Sequence, residues 1–123
     1  MAVREADILW EDQQRINRFS ILNMEWHDLE KEVKSREEKL HAVQDAADEI
    51  ELLIGDSTKC LIGESVVELT NDEALSRLER LKASETAEAD VLRGKMEEME
   101  REMKTLKAHL YAKFGSRINL EED

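Results

Sequence analysis

Residues Lys59–Leu69, KCLIGESVVEL, contain two short apolar runs separated by the pair Gly63-Glu64. A glycine followed by one further residue is typical of the two-residue turns that join antiparallel strands. The sequence therefore predicts a β-hairpin over about residues 59–69. Because an isolated two-stranded ribbon is barely stable in water, such a hairpin needs further strands to join it.

On either side of this hairpin, apolar residues recur with spacings that alternate between three and four, which is a heptad seam. The first seam runs from Phe19 to Ile54 and has one charged interruption at Arg36. The second runs from Leu75 to Leu110 and has charged positions at Lys82 and Glu85. Pairing Phe19 with Leu110 also pairs Ile54 with Leu75, so one antiparallel register holds along both seams.

Helix boundaries follow from capping signals. Gly55 is placed to end the first helix in a left-handed cap, and Gly115 to end the second. Thr70 followed by Glu73 resembles a capping box that opens the second helix. We therefore predict one domain over residues 1–123, with helices at about 10–54 and 71–114 and a C-terminal tail at 115–123. The fold class is mainly α, an antiparallel two-helix coiled coil joined by a short β-hairpin.

Composition supports an elongated helical protein. Charged residues make up 39% of the 123 residues, aromatic residues make up 4%, and there is no proline. This is typical of long helices rather than of a compact globular core. The formal net charge of -12 disfavours nucleic acid and anionic membranes as partners, because both would be repelled.

The single cysteine, Cys60, cannot form an internal disulfide. The start of the chain lacks a secretory signal, and no stretch approaches the roughly 18 apolar residues of a membrane span. We therefore expect a cytoplasmic protein.

Candidate catalytic and metal-binding residues are poorly placed for chemistry. His27 and His41 are two heptads apart, about 21 Å along one helix, and cannot share a metal. His109 has no second His or Cys near it in the predicted pairing, and Cys60 has no general base nearby. Without a phosphate-binding Gly-rich loop either, the sequence predicts no catalytic activity, no cofactor and no metal.

Large apolar residues concentrate where the two termini meet in the predicted pairing. All the aromatic residues fall in these segments, namely Trp10, Phe19, Trp26, Tyr111 and Phe114. The simplest interpretation of Phe19, Trp26 and Leu110 is core packing, and of Met96, Met99 and Met103 core filling.

Beyond the last paired layer, Ile8, Leu9, Trp10, Ile118 and Leu120 have no helical partner. They either fold back as a hydrophobic cap or form an exposed patch. We expect the patch, because a two-helix coil has no third layer to cover it and patches of about 300–600 Å² mark binding surfaces.

Both termini resemble a known family. The segments WEDQQRINRF (Trp10–Phe19) and LYAKFGSRINLEED (Leu110–Asp123) are similar to the ends of β-class prefoldin subunits. The helix, hairpin, helix plan matches that class over nearly the whole chain. One departure is the turn: the family usually has Gly-Asp before an aromatic or bulky strand, whereas Gly63-Glu64 leads here into Ser65 and Val66.

The resemblance implies a heterohexameric co-chaperone of two α-class and four β-class subunits, so that this chain has two α-class and three further β-class partners. In this family the hairpins assemble into a β-barrel base. Unfolded actin and tubulin are held at the coiled-coil tips without ATP and are passed to the cytosolic chaperonin. A structural coiled-coil adaptor is the alternative, although a plain adaptor needs neither the hairpin nor apolar residues at the termini.

Two sets of residues carry this expectation. The set expected to bind clients at the tip consists of Ile8, Leu9, Trp10, Ile16, Phe19, Tyr111, Phe114, Ile118 and Leu120. The set expected to assemble subunits through the hairpin consists of Cys60, Leu61, Ile62, Gly63, Val66, Val67 and Leu69.

Overall fold

The computed structural model describes residues 9–53 and 57–120. Helix α1 spans Trp10–Leu52, strands β1 and β2 span Ser57–Ile62 and Ser65–Thr70, and helix α2 spans Asn71–Phe114. A 3-10 turn, Gly115–Arg117, follows α2. The predicted fold class, two long helices with a short antiparallel hairpin between them, is confirmed. The expected cap at Gly55 and the seam residue Ile54 lie outside the described residues.

The chain divides into two compact units. The first, called here the terminal unit, comprises residues 1–32 and 92–123, and the second, called the hairpin unit, comprises residues 33–91. Each unit contains a segment of both helices.

Burial follows the predicted seams. Every described position of the first seam is buried or half-buried, including the charged Arg36. The same holds for the second seam except at Lys82, which is exposed. The three-four spacing therefore identified the inner face of each helix.

In the hairpin unit, two charged seam residues meet. Arg36 is half-buried, and its Nη1 lies 2.8 Å from Oε2 of Glu85 on α2. Arg36 also contacts Glu88. A polar pair among apolar seam positions disfavours other alignments of the two helices, because a shifted register would leave these charges half-buried and unpaired.

The hairpin pairs Ser57 with Thr70 at its open end and Ile62 with Ser65 next to the turn. Gly63 in the turn has φ +61°, which is the left-handed region that glycine adopts without a steric penalty. The predicted turn at Gly63-Glu64 is confirmed.

Helix α2 has clear signals at both ends. The Glu73 backbone N–H donates to Thr70 Oγ1 at 3.1 Å, which satisfies one of the first-turn donors. Gly115 has φ +60° directly after the last helical residue, as expected for a left-handed helix end.

Neither helix, over the residues that the structure describes, is apolar enough along its length to cross a membrane.

Candidate functional site

The terminal unit contains the main apolar cluster of the described chain. Its buried members are Phe19, Leu110, Phe114 and Leu120, and Phe19 is only 1% exposed. Half-buried residues pack against them, namely Ile16, Met103, Leu106, Tyr111 and Ile118. Phe19 and Leu110, which the predicted register places opposite each other, thus share one core.

The C-terminal tail folds back onto this cluster. Leu120 is 8% exposed, and its backbone N–H donates to Tyr111 Oη at 3.2 Å. The expectation that Leu120 extends uncovered past the helices is therefore wrong, and the fold-back cap is what the structure contains. The physical reason is the reversal at Gly115, whose left-handed backbone begins the 3-10 turn that returns the chain to the helices.

The remaining residues expected to bind clients differ in accessibility. Trp10 is 73% exposed and Leu9 is 57% exposed. Ile16, Tyr111 and Ile118 are half-buried. Ile8 lies outside the described residues. The apolar surface available to a partner therefore comes mainly from Leu9 and Trp10 rather than from the C-terminal tail.

An exposed apolar stripe extends from Trp10 along α1. Trp10, Ile21 and Met24 are all exposed, and separations of eleven and three residues bring them to one face of a helix with 3.6 residues per turn. Gln14 and Asn17 lie between them on the same face. Ile21 and Met24 could not be predicted from the heptad pattern, because both lie off the seam.

Asp12 is a charged residue of the terminal unit that sequence analysis missed. Its side chain is completely buried and contacts the Lys113 ammonium near the end of α2. Arg15 Nη1 lies 3.0 Å from the other carboxylate oxygen. Together these residues form what we call the Asp12 clasp, which joins the first turns of α1 to the last turn of α2.

The clasp changes the acidity of Asp12. The hydrogen bond from Lys113 lowers the pKa of the Asp12 carboxyl below its usual value, and attraction by Lys113 and Arg15 acts in the same direction. Burial opposes the shift, but it is the weaker effect. One signal was available in the sequence, because Asp12 lies one heptad before Phe19 and thus at a seam position.

A second ion pair links the helices in the terminal unit. The Arg18 guanidinium makes two hydrogen bonds to the Glu102 carboxylate, of 2.9 Å and 3.1 Å. These hydrogen bonds lower the pKa of Glu102 and raise that of Arg18. Because both side chains are nearly half exposed, solvent screens the pair and it contributes little to the stability of the fold.

An apolar groove lies between the helices within the terminal unit. Its volume is about 540 Å³, and its lining residues are Asn23, Trp26, Glu100, Met103, Lys104 and Lys107. The Trp26 indole N–H donates to Glu100 Oε1 at 2.9 Å, which fixes the orientation of the ring. The predicted register that pairs Phe19 with Leu110 also places Trp26 opposite Met103, and in the structure these two side chains line a groove rather than a closed core.

The hairpin exposes an apolar surface in the hairpin unit. Since cross-strand partners project to the same face, Cys60, Ile62 and Val67 share one face of the ribbon, as does Leu69. Cys60 and Leu69 are half-buried, whereas Ile62 and Val67 are partly exposed. Val66 on the other face is 67% exposed. Leu61 pairs with Val66 through the backbone ladder, and Gly63 lies in the turn.

A second groove, of about 520 Å³, lies beneath the hairpin. Cys60 and Ile62 contribute to it from β1, Ile50 from α1, and Leu78 from α2. Among residues 57–70, each hairpin strand is paired along one edge only, and its other edge is unpaired. The hairpin unit therefore offers unpaired backbone and aliphatic side chains together, which is the combination that strand addition by another chain requires.

No group of three or more His, Cys, Asp or Glu side chains within the described ranges 9–53 and 57–120 is arranged to hold a metal ion.

Comparisons with known proteins identify the class to which this arrangement belongs. Residues 13–117 match the family model described as "Prefoldin subunit". Prefoldin subunit 4 of Homo sapiens is 35% identical over 127 aligned residues, covering 99% of this chain and 92% of that protein.

Fungal relatives give the same result. The probable prefoldin subunit 4 of Schizosaccharomyces pombe is 32% identical, with 97% of this chain and all of that protein covered. Prefoldin subunit 4 of Saccharomyces cerevisiae is 31% identical, with 94% and 91% covered. The chain belongs to the prefoldin subunit family, which is a chaperone family and not an enzyme family. Membership of this family implies that other prefoldin subunits are its partners.

Proposed function

We propose that this chain is one subunit of a heterohexameric prefoldin, in which it joins two α-class and three further β-class subunits in the cytoplasm. The complex holds unfolded proteins, including actin and tubulin, without ATP and delivers them to the cytosolic chaperonin. In this chain the terminal unit contacts the client, and the hairpin unit makes the subunit contacts.

The observation that carries the proposal is the exposed stripe of Trp10, Ile21 and Met24, with Leu9 next to it. An unfolded client exposes apolar side chains, and burial of such surface contributes about 25 cal/mol per Å². Several shallow surfaces in one complex hold a client by avidity, while each contact remains weak enough to release it. Holding of this kind requires no nucleotide.

The Asp12 clasp and the fold-back tail support the same role. Phe19, Phe114 and Leu120 are buried within the subunit, so in this proposal these side chains stabilise the surface rather than contact the client directly. The tip set expected from the sequence is narrowed in this proposal to Leu9 and Trp10, with Ile21 and Met24 added.

The test uses the full chain co-expressed with its partner subunits. The mass of the purified complex is measured first, and dilution of denatured actin into the complex without ATP then measures suppression of aggregation. A variant with Trp10→Ser, Ile21→Ser and Met24→Ser should assemble normally but protect actin several-fold less. The matched control, Gln14→Ser with Asn17→Ser, changes polar residues of the same helix face and should protect like the wild type.

Two results would contradict the proposal. One is failure of the chain to enter a hexamer. The other is undiminished protection by the triple variant in an intact complex. Delivery is tested separately by mixing the complex loaded with labelled actin with purified cytosolic chaperonin, where label should move to the chaperonin fraction.

A further inference from the structure

We propose that the groove at Trp26, described above in the terminal unit, binds an extended client segment in which an aliphatic or aromatic side chain is next to Asp or Glu. This inference rests on the proposed function, since it names the class of client sequence that the subunit prefers. It places a selective site beside the unselective stripe of Trp10, Ile21 and Met24.

The floor of the groove is apolar. Trp26 and Met103 supply a ring and a thioether, and the only hydrogen-bond donor of the indole is already used by Glu100. What Trp26 offers a ligand is therefore its apolar ring surface. The groove volume of about 540 Å³ lies within the range of sites that enclose a few side chains.

One polar atom of a lining residue lacks a partner. Asn23 Oδ1 is shielded from solvent and accepts no hydrogen bond from any residue in 9–53 or 57–120. A buried acceptor without a donor is unfavourable, so a ligand that brings an N–H group is favoured. The backbone of an extended peptide supplies such a donor at every residue except proline.

The rim is basic in a protein whose net charge is -12. Lys104 is exposed and makes no ion pair within the described part of the chain. The Lys107 ammonium lies 5.8 Å from the centre of the Tyr111 ring, on the same side of α2. Glu100 is the one acidic residue among those that line the groove, so the lining holds two lysines against one carboxylate. Local charge therefore favours a carboxylate next to the apolar side chain, because charges beyond about 8 Å are largely screened at physiological salt.

The experiment exploits the two tryptophans of the chain. Trp10→Phe leaves Trp26 as the sole tryptophan of the full-length chain, so its emission reports on the groove. Three short unstructured peptides are titrated: one with alternating Leu and Glu, one with Leu and Lys, and one with Ser and Glu. Only the Leu and Glu peptide should produce a saturable shift of Trp26 emission at low peptide concentration.

Charge reversal then tests specificity. Lys104→Glu should weaken the Leu and Glu peptide about fivefold and strengthen the Leu and Lys peptide, since it replaces one close attraction by a repulsion. Lys95→Glu is the matched control, because Lys95 is an exposed lysine of the same helix and unit but not part of the groove. It should leave both affinities unchanged.

Each other outcome has a defined meaning. Equal affinity for the Leu and Glu and the Leu and Lys peptides, or the same effect of Lys104→Glu and Lys95→Glu, overturns the acidic preference. A Trp26 shift that depends on protein concentration without peptide overturns the proposal in favour of a second copy in the groove.

The groove and the proposed function fail in distinguishable ways. If no peptide shifts Trp26 while the assembled complex still protects denatured actin, the groove proposal is wrong and the holding function stands. If the Leu and Glu peptide binds but the complex protects nothing, the proposed function is wrong and the groove is not a client site.

Discussion

At the scale of single residues, Asp12 shows how a charge can lie inside a helical pair. A carboxylate without access to water is costly unless it is paired and hydrogen-bonded. Lys113 and Arg15 provide two such partners and also cover the carboxylate, with the ammonium of Lys113 additionally placed 5.6 Å from the centre of the Phe114 ring. The pair joins segments 101 positions apart in the chain, so it forms only when both ends have folded together.

The lowered pKa of Asp12 leads to a prediction about acid stability. Because the folded chain binds this proton more weakly than the unfolded chain, the clasp stabilises the fold above about pH 3.9 and this contribution is lost as the pH falls through the folded pKa. The urea midpoint should therefore drop between about pH 5 and about pH 3. In Asp12→Asn the midpoint should be lower at pH 5 and should drop less on acidification.

Asp28→Asn provides the control, since Asp28 is an exposed aspartate on the same helix. It should keep the wild-type drop between the two pH values. If Asp12→Asn and Asp28→Asn lose the same amount on acidification, the clasp does not contribute to stability.

At the scale of elements, the helices and the hairpin were accessible from sequence because their signals are local and periodic. Three-four spacing marks an inner face over many turns, and glycine at Gly63 and Gly115 marks positions that need positive φ. The position of Leu120 was not accessible, since no periodicity continues beyond the helix end at Gly115. Its burial depends on where the left-handed residue directs the chain, and on a tertiary contact with Tyr111.

The candidate site was only partly predictable for related reasons. Trp10 and Leu9 are exposed, as an unpaired hydrophobic terminus suggests. The groove at Trp26 was not foreseen, because a seam aromatic is normally core, and here the ring is instead held by Glu100 beside the open groove. That hydrogen bond joins residues 74 positions apart, so no local pattern predicts it.

Replacing Gly94, within α2, and Gly115, directly after α2, by alanine should change the free energy of unfolding in opposite directions. Gly94 lies within the helix, and an added Cβ would meet nothing within 4 Å. Gly94→Ala should therefore raise the free energy of unfolding by about 0.5–1 kcal/mol through higher helix propensity. Gly115→Ala should lower it by about 1–2 kcal/mol, because φ is +60° there.

Urea unfolding followed by circular dichroism at 222 nm measures both changes, with the two variants acting as each other's control. If Gly115→Ala raised the free energy of unfolding as Gly94→Ala does, Gly115 would not need its left-handed conformation and the tail would not dock through it.

At the scale of the whole molecule, the two units differ in how far they bury their own apolar side chains. The terminal unit encloses a cluster built from both helices and the tail. In the hairpin unit the buried apolar residues are small, namely Val33, Val43, Ala74 and Ala89, while Leu52, Leu81 and Val66 are exposed. A unit with this distribution gains stability from a partner, as expected for a subunit of a larger complex.

This difference gives a prediction that separates assembly from folding. Val66→Lys places a charge at a strand position whose native side chain is 67% exposed. The free energy of unfolding of the lone chain should therefore change by no more than about 0.5 kcal/mol. In the proposed complex, however, a lysine on β2 would block the pairing of further strands with the hairpin. Val91→Lys is the matched control, because Val91 is also an exposed valine of the hairpin unit but lies on α2. After co-expression with tagged partner subunits, Val66→Lys should be lost from the purified complex while Val91→Lys is retained. Retention of both would contradict subunit pairing through β2, and the aliphatic groove beneath the hairpin would then be the next surface to test.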